Sequence, residues 1–376
     1  MSIAYIALSV LWFGLITYAV LGGADFGAGI WDLFAVGRQA DRQHTLINHA
    51  LGPVWETNHV WLIFLLVGLF NVFPPAFAIL TTALYVPLTL ALIGIVLRGA
   101  AFIFRTYAIN TRSLATKAWS RVFSTTSLIT PFFLGASAAA VASGRIGVHN
   151  GNVQAGLFAP WTTPFALTIG AMAVTLCASL AAVYLTVEAL NDNDEQLAEI
   201  YRWRALIAGA ITAVLGALGL FLSVSEAPLL WHGMLAHAIP VVVATMIIGL
   251  LTAIALVVRH YRVARVLVIL EAAFLLGSWG LSQVPYIIPP DVTVNNAAND
   301  PNVILTLMIA TGIGMVILLP SLYYLFSVFK LAYPVPGLRK QVRDQAARNK
   351  AAGTTSTRGP GEASTGSQER IPQASR

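Results

Sequence analysis

Nine apolar stretches, each about 20 residues long or longer, divide this 376-residue chain. A bilayer core of about 30 Å is crossed by about 20 apolar residues in a helix, whereas a barrel strand is about half as long and alternates in polarity. The stretches therefore predict an all-α polytopic membrane protein with about nine transmembrane helices. The predicted spans are approximately 3–24, 53–72, 76–104, 122–142, 164–188, 204–224, 235–258, 264–284 and 303–330.

The composition agrees with this class of protein. The chain is 57% hydrophobic and 10% charged, whereas about a quarter of the residues in a soluble domain carry charge. We expect a transmembrane domain over residues 1–333. The polar, low-complexity residues 334–376 predict a disordered cytoplasmic tail.

The distribution of lysine and arginine among the connections predicts how the chain is oriented in the membrane. Basic residues cluster in the connections after the third and seventh spans, and the opposite set of connections carries one, Arg145. Because short cytoplasmic loops are enriched in lysine and arginine, the N-terminus is expected outside and the C-terminus in the cytoplasm. The acidic connection 188–204 also falls inside, which does not overturn the prediction because acidic residues contribute little to the rule. Topology thus accounts for the net charge of +6, and no nucleic-acid partner is predicted.

Polar residues inside the membrane are the candidates for function, because ionisable groups there are expensive and usually have a role. Asp25 lies in "LGGADFGAGIWDL", at the cytoplasmic end of the first span. Glu56, Asn58 and His59 lie at a similar depth in the second span, and Arg98 does so in the third. These positions predict a constellation of Asp25, Glu56 and Arg98. Two interpretations stay open: a proton-conducting site, or a buried ion pair that sets helix register.

Small residues surround Asp25. Gly23 and Gly27 form a small-xxx-small pair that lets a neighbouring helix approach closely, and Gly29 follows on. Asp25 is therefore expected to face protein rather than lipid. Asp32 lies two turns further along the same face, and its simpler interpretation is a solvated charge at the helix end.

Other polar groups are less informative. Glu271 lies about two turns inside the eighth span from the cytoplasmic side, and its role stays open. His59 and His237 are expected at opposite faces of the bilayer, so neither a haem ligated by this chain nor another metal site is predicted. The single cysteine, Cys177, is interpreted as packing. A secondary transporter and a haem b membrane quinone reductase remain alternative classes.

Three segments carry a specific resemblance: "YAVLGGADFGAGIWDL", "PVWETNHVWLI" and "VLRGAAFIFR". With nine spans and this length, the chain resembles subunit II of the cytochrome bd family of bacterial quinol oxidases. The G-x-D-x-G-x-G pattern of the family matches Gly23 to Gly29, and W-[DE]-x-N-x-V-W-L matches Trp55 to Leu62. Glutamate stands at position 56, where aspartate is usual in the enterobacterial form, so the chain is more similar to the cyanide-insensitive branch.

The resemblance implies a haem-free subunit that is not active alone. In the family, subunit I carries two b haems and a d-type haem, or b haem in its place, oxidises quinol and reduces dioxygen to water, which builds a proton gradient without pumping. The position of Glu56, with Asp25 behind it, is implied to admit cytoplasmic protons, with Arg98 and Asn58 on the same route. Gly23, Gly27, Gly29 and Trp61 are then expected to serve helix packing and the interface with subunit I.

The family analogy also predicts the architecture and the surroundings. The fold is expected to consist of two four-helix bundles, from spans one to four and five to eight, with the ninth helix at the periphery. The expected location is the bacterial inner membrane. The resemblance leaves open a small third subunit and a structural quinone or lipid bound to this chain.

Overall fold

The structure, a computed structural model, describes residues 2–106, 114–149 and 152–332. Within these ranges it describes all side chains except those of residues 49, 51–56, 106, 149, 152 and 326–332. The predicted tail at 334–376 and the side chain of Glu56 therefore lie outside the described residues.

Helices form most of the described chain. In chain order they are α1 (Ile3–Leu33), α2 (Ala40–Val72), α3 (Pro74–Ala83), α4 (Tyr85–Thr106), α5 (Leu114–Ala142), α6 (Pro164–Asn191), α7 (Glu195–Glu226), α8 (Pro228–Gly233), α9 (Ile239–Val257), α10 (Tyr261–Gln283), α11 (Val294–Ala297) and α12 (Pro301–Ala332). A single π-helical turn, Met234–Ala238, joins α8 to α9.

Two short antiparallel hairpins lie in the connections. The first pairs β1 (Val148–His149) with β2 (Asn152–Val153), and the second pairs β3 (Tyr286–Ile288) with β4 (Val292–Thr293). The backbone N–H of Val148 donates to a carboxylate oxygen of Asp291 at 3.1 Å, which ties the two hairpins together.

The prediction of an all-helical polytopic membrane protein is confirmed. Within the described ranges, eight helical segments are long and apolar enough to cross a membrane, with α8, the π-helical turn and α9 counted as one. The pair formed by residues 57–72 of α2 and by α3 is a ninth candidate, bent by 117°. The nine predicted stretches thus correspond to these segments, although their boundaries differ.

The third predicted span, 76–104, is not one continuous helix. The structure divides it at Leu84 into α3 and α4. Pro87 has no N–H to donate to the carbonyl of Ala83, so the helical hydrogen bonding is interrupted at this point.

Several helices extend beyond the predicted spans. The first predicted span ended near residue 24, whereas α1 continues to Leu33; α2 and α7 also begin before the predicted residues 53 and 204. Apolar length measures only the part of a helix that lies in lipid. Polar residues prolong the helices, as at α7, where the Asp194 side chain accepts a hydrogen bond from the N–H of Leu197 at 3.1 Å.

The helices of the first four and of the next four predicted spans, called the first and second bundle, pack both among themselves and against each other within one compact unit, so a division into two four-helix bundles stays a prediction. In the first bundle α1 contacts α2 and α5, and α4 contacts α5; in the second, α6 contacts α7 and α10, and α9 contacts α10. The bundles join where α1 and α5 pack on α6. Between Pro301 and Leu319, α12 exposes most of its side chains, as a peripheral helix does.

Candidate functional site

A buried ion pair joins α1 to α4 in the first bundle. The side chains of Asp25 and Arg98 are 0% and 3% exposed. The two Nη atoms of Arg98 donate to the two carboxylate oxygens of Asp25 at 2.5 and 2.6 Å, and Nη2 also donates to the Asp25 backbone carbonyl at 2.9 Å. Nε of Arg98 donates to Oγ of Ser127 on α5 at 2.8 Å. The bidentate geometry and the additional acceptors supply the compensation that a buried pair requires.

Small and aromatic residues pack closely around this ion pair. A side chain on Gly29 would overlap Oγ of Ser127, so glycine at this position lets Ser127 reach Arg98. The rings of Phe26 and Phe123 lie 4.9 and 4.7 Å from the guanidinium carbon of Arg98. Aromatic faces at this distance attract a cation electrostatically, so Arg98 is held on several sides.

A second buried acidic residue, Asp32, lies seven residues after Asp25, towards the C-terminal end of α1. Asp32 is 1% exposed, so the interpretation of Asp32 as a solvated helix-end charge is wrong. One of its carboxylate oxygens accepts from Nη1 of Arg105 at 2.8 Å and from Oγ of Ser124 at 2.9 Å. The other lies 2.7 Å from Nδ1 of His44. Asp32 is buried because α1 continues through this position, which places it between α2, α4 and α5.

The two ion pairs recur with a heptad spacing. We call them the ladder, with Asp25–Arg98 as its upper rung and Asp32–Arg105 as its lower rung. Asp25 and Asp32 are seven residues apart on α1, as Arg98 and Arg105 are on α4, and a seven-residue step returns a helix to nearly the same face. The fully buried ring of Phe123 lies within 4.7 and 4.5 Å of the two guanidinium carbons. Paired Asp and Arg spacings of seven are the sequence signal that would have revealed the second rung.

The polar residues of α2 lie beside the upper rung, at Asp25. Asn58 is buried and packs on α1, where a Cβ on Gly22 would lie 3.1 Å from its Oδ1. Glu56, the second predicted carboxylate, belongs to α2, but its side chain lies outside the described residues. The structure therefore brings Asp25, Arg98 and Asn58 together and leaves the position of the Glu56 carboxylate open.

A small cavity connects these groups. Its polar lining comes from Tyr18, Asn58, His59 and Arg98. The cavity measures about 10 Å³, which is room for about one water molecule. The Tyr18 hydroxyl and Oδ1 of Asn58 are buried, and neither has a hydrogen-bond partner among the described residues. Buried polar atoms of this kind commonly hold an internal water, so the lining is suited to a hydrated link between α2 and Arg98.

The glycine face of α1 is occupied within the chain. A Cβ on Gly23 would lie 2.8 Å from Leu180, and one on Gly27 would lie 2.5 Å from the carbonyl carbon of Cys177. Both contacts are with α6, whereas Gly29 faces α5. The expected close approach is therefore present, but the expectation that these glycines meet a second subunit is corrected.

Trp61 is also used in packing within this chain. It is 4% exposed, and its ring meets those of Phe13 and Phe64 edge to face at 6.1 and 6.0 Å. The expected role in helix packing therefore has a direct structural counterpart.

Glu271 lies apart from the ladder, in the second bundle. It is ten residues from the first residue of α10, which is about 15 Å along the helix axis at 1.5 Å per residue. Its carboxylate faces α9, where a Cβ on Gly249 would lie 3.0 Å from Oε1.

The two histidines considered as haem ligands belong to separate segments of the fold. His59 lies at the start of the apolar part of α2, and His237 lies in the π-helical turn before α9. Both positions are near the N-terminal starts of their segments, and these segments are expected to cross the membrane in opposite directions, so the two imidazoles are expected at opposite faces of the bilayer. Within the described ranges, no group of three histidine, cysteine or acidic side chains is close enough to hold a metal ion.

Comparisons with known proteins identify the family. Residues 3–329 match the family described as Cytochrome bd terminal oxidase subunit II. The chain is 24% identical over 334 residues to the Putative cytochrome bd menaquinol oxidase subunit II of Bacillus subtilis (strain 168), covering 87% of this chain and 95% of that protein. It is 27% identical over 207 residues to the Cytochrome bd-I ubiquinol oxidase subunit 2 of Escherichia coli (strain K12), covering 54% of this chain and 52% of that one.

A solved structure shares the fold. A chain of the bd oxidase from Geobacillus thermodenitrificans is similar with a TM-score of 0.70 at 24% identity, over 88% of this chain and 99% of that one. The fold, the spacing of the motifs around Asp25 and Arg98, and the family match over residues 3–329 agree. The chain belongs to the cytochrome bd terminal oxidase subunit II family.

Proposed function

We propose that this chain is the haem-free subunit of a bd-type terminal oxidase that couples quinol oxidation to the reduction of dioxygen to water. It works with a haem-bearing subunit I and is not active alone. Haem b and haem d, or haem b in its place, supply the electron-transfer and oxygen chemistry in that partner. The family match favours this function over a secondary transporter or a haem b quinone reductase.

The specific role that the geometry supports best is proton uptake. The observation that carries it is the cavity lined by Asn58, His59 and Arg98 beside the Asp25–Arg98 pair. A proton that arrives along α2, past Glu56, reaches this cavity through an internal water. Asp25 then receives the proton on a carboxylate oxygen, while Arg98 keeps the carboxyl group in position through the Asp25 backbone carbonyl and Ser127.

The direction of transfer follows from the predicted orientation. Residues 34–39, which join α1 to α2, lie on the same side of the membrane as the connection at 258–260, because an even number of spans separates them. Arg259, Arg262 and Arg265 mark that side as cytoplasmic by the positive-inside rule. We therefore propose that the chain lies in the bacterial inner membrane with its N-terminus outside, and that protons enter at the lower end of the ladder.

Substitution of the two carboxylates tests the role. In the assembled oxidase, Glu56→Gln and Asp25→Asn are each expected to lower oxygen consumption per haem by about tenfold or more, because a group that must carry a proton is replaced by a neutral amide of similar shape. Glu56→Asp is expected to retain much of the activity because it keeps the acid. The measurement is the rate per haem across pH, with quinol in excess.

An exposed carboxylate on the same side provides the control. Glu195 lies at the surface in the first turn of α7, so Glu195→Gln should leave the rate unchanged. Wild-type rates for both Glu56→Gln and Asp25→Asn, in complexes with normal haem content, would show that protons enter through the partner subunit alone.

A further inference from the structure

A histidine stands at the aqueous end of the ladder. The side chain of His44, near the start of α2, is 38% exposed, whereas that of its partner Asp32 is 1% exposed. Nδ1 of His44 lies 2.7 Å from Oδ1 of Asp32. His44 thus touches both the solvent and the buried lower rung.

Asp32 determines which nitrogen of His44 is available. Its carboxylate already accepts hydrogen bonds from Arg105 and Ser124, and these donors favour the anionic form. An ionised carboxylate can only accept, so Nδ1 of His44 must donate the third bond. In the neutral ring, Nε2 is then the acceptor, and it can take up a proton while the ring is held in place.

Charged groups of both signs lie around His44 and its partner Asp32. Asp32 of α1 is the adjacent anion, and Arg105 of α4 opposes it with a positive charge. Tyr201 of α7 is near enough to Asp32 to interact with it electrostatically. Arg42, on the same helix as His44, is paired with Asp194. Within the described residues, the carboxylate that His44 contacts is thus shared with Arg105.

The position of His44 on α2 connects it with the proposed uptake route. Glu56 lies twelve residues further on, which is about 18 Å along the helix axis. Asn48, one turn after His44, accepts a hydrogen bond from Arg105 and so ties this part of α2 to α4. The buried ring of Phe123 packs against the guanidinium groups of both Arg98 and Arg105. Helix α2 leads from His44 at its solvent-exposed start to Asn58 and His59 at the cavity.

We propose that His44 is the proton collector of this subunit and that Asp32 is its positioning residue. Nε2 binds a proton from the aqueous phase, and the ring becomes an imidazolium paired with Asp32. It then releases that proton to water along α2 in the direction of Glu56 and returns to the neutral form. This inference rests on the proposed function, since it adds the entrance to the same uptake route.

Buffer dependence in the assembled oxidase tests the collector. In His44→Gln the amide can still donate to Asp32, so the fold is preserved. At low buffer concentration the variant is expected to consume oxygen per haem about threefold more slowly or worse, because proton exchange with the surface loses its acceptor. Added imidazole, a mobile proton carrier, should restore the rate to within about twofold of the unchanged enzyme.

His260 is a matched control on the same side of the membrane. It is exposed and its Nδ1 bonds to the Val258 carbonyl at 3.2 Å, with no carboxylate bound to it in the structure. His260→Gln should show neither the slow rate nor the buffer dependence. Asp32→Asn keeps the imidazole but removes its counter-ion, so we expect a partial form of the His44→Gln defect that imidazole also relieves.

The outcomes separate this inference from the proposed function. A slow His44→Gln enzyme that imidazole does not restore would show a structural role, and an unchanged rate at low buffer would show that His44 collects no protons; either result overturns the collector. If Glu56→Gln and Asp25→Asn slow turnover in the same preparations, uptake through this subunit stands while the collector falls. If they do not, the proposed route itself is wrong.

Discussion

Gly27→Ala is expected to prevent most of the chain from folding correctly in the membrane. An added Cβ would overlap the backbone carbonyl of Cys177 and lie 2.6 Å from Cβ of Ala181. The obstructing atoms belong to the α6 backbone, so no rotamer change relieves the overlap, and α1 must move away from α6. We expect a loss of about 3 kcal/mol or more in stability, at the upper end of overpacking effects. The measurement is the folded yield and thermal midpoint of the detergent-solubilised protein.

Gly277 provides the matched control for this substitution. It lies in the interior of a membrane helix, α10, and a Cβ there would meet nothing within 4 Å. Alanine is a better helix former than glycine by about 1 kcal/mol, so Gly277→Ala should preserve or raise the midpoint. Equal midpoints for the two variants would mean that α1 and α6 do not cross as closely as the structure shows.

The fold was largely predictable because lipid imposes a length on every span. The break at Leu84 was missed because hydropathy is continuous across residues 76–104, and only Pro87 indicates that backbone hydrogen bonding fails there. The true ends of α1, α2 and α7 were also missed. These ends are set by helix caps and by tertiary contacts of polar residues. The length of an apolar stretch carries no information about either.

The upper rung was predictable for a similar reason. Asp25 and Arg98 could be placed at one depth by counting from the ends of their spans, and opposite charges at one depth in a membrane pair with each other. Asp32 is not predictable in the same way, because apolarity ends the first predicted span near residue 24. Once α1 is extended to Leu33, the same counting brings Asp32 opposite Arg105.

The glycines of α1 show a different limit of prediction from sequence. The spacing of Gly23 and Gly27 predicts that another helix comes close, and α6 does so. The spacing is a property of one surface and does not identify the helix that packs on it. A helix of the same chain and a helix of a partner subunit need the same small residues, so only the structure distinguishes them.

Arg98→Met is expected to be among the most destabilising single substitutions in the first bundle. Methionine removes the guanidinium and leaves the Asp25 carboxylate, which is 0% exposed, without a counter-ion. Breaking a buried ion pair from one side typically costs about 3–5 kcal/mol, because the remaining charge stays desolvated. The aromatic contacts with Phe26 and Phe123 are lost as well. We expect little assembled oxidase, measured as haem-containing complex per membrane protein.

The double variant Asp25→Asn/Arg98→Met distinguishes lost charge compensation from lost packing. Asp25→Asn alone should assemble well, because Arg98 keeps its bonds to Ser127 and to the backbone carbonyl of residue 25. If the uncompensated carboxylate is the main defect of Arg98→Met, neutralising it should recover about 1–3 kcal/mol, the coupling expected for residues in direct contact. The thermal midpoints of the four proteins complete the cycle. If the double variant is no more stable than Arg98→Met, Asp25 is not an anion held by Arg98, and the pair stabilises the bundle through shape alone.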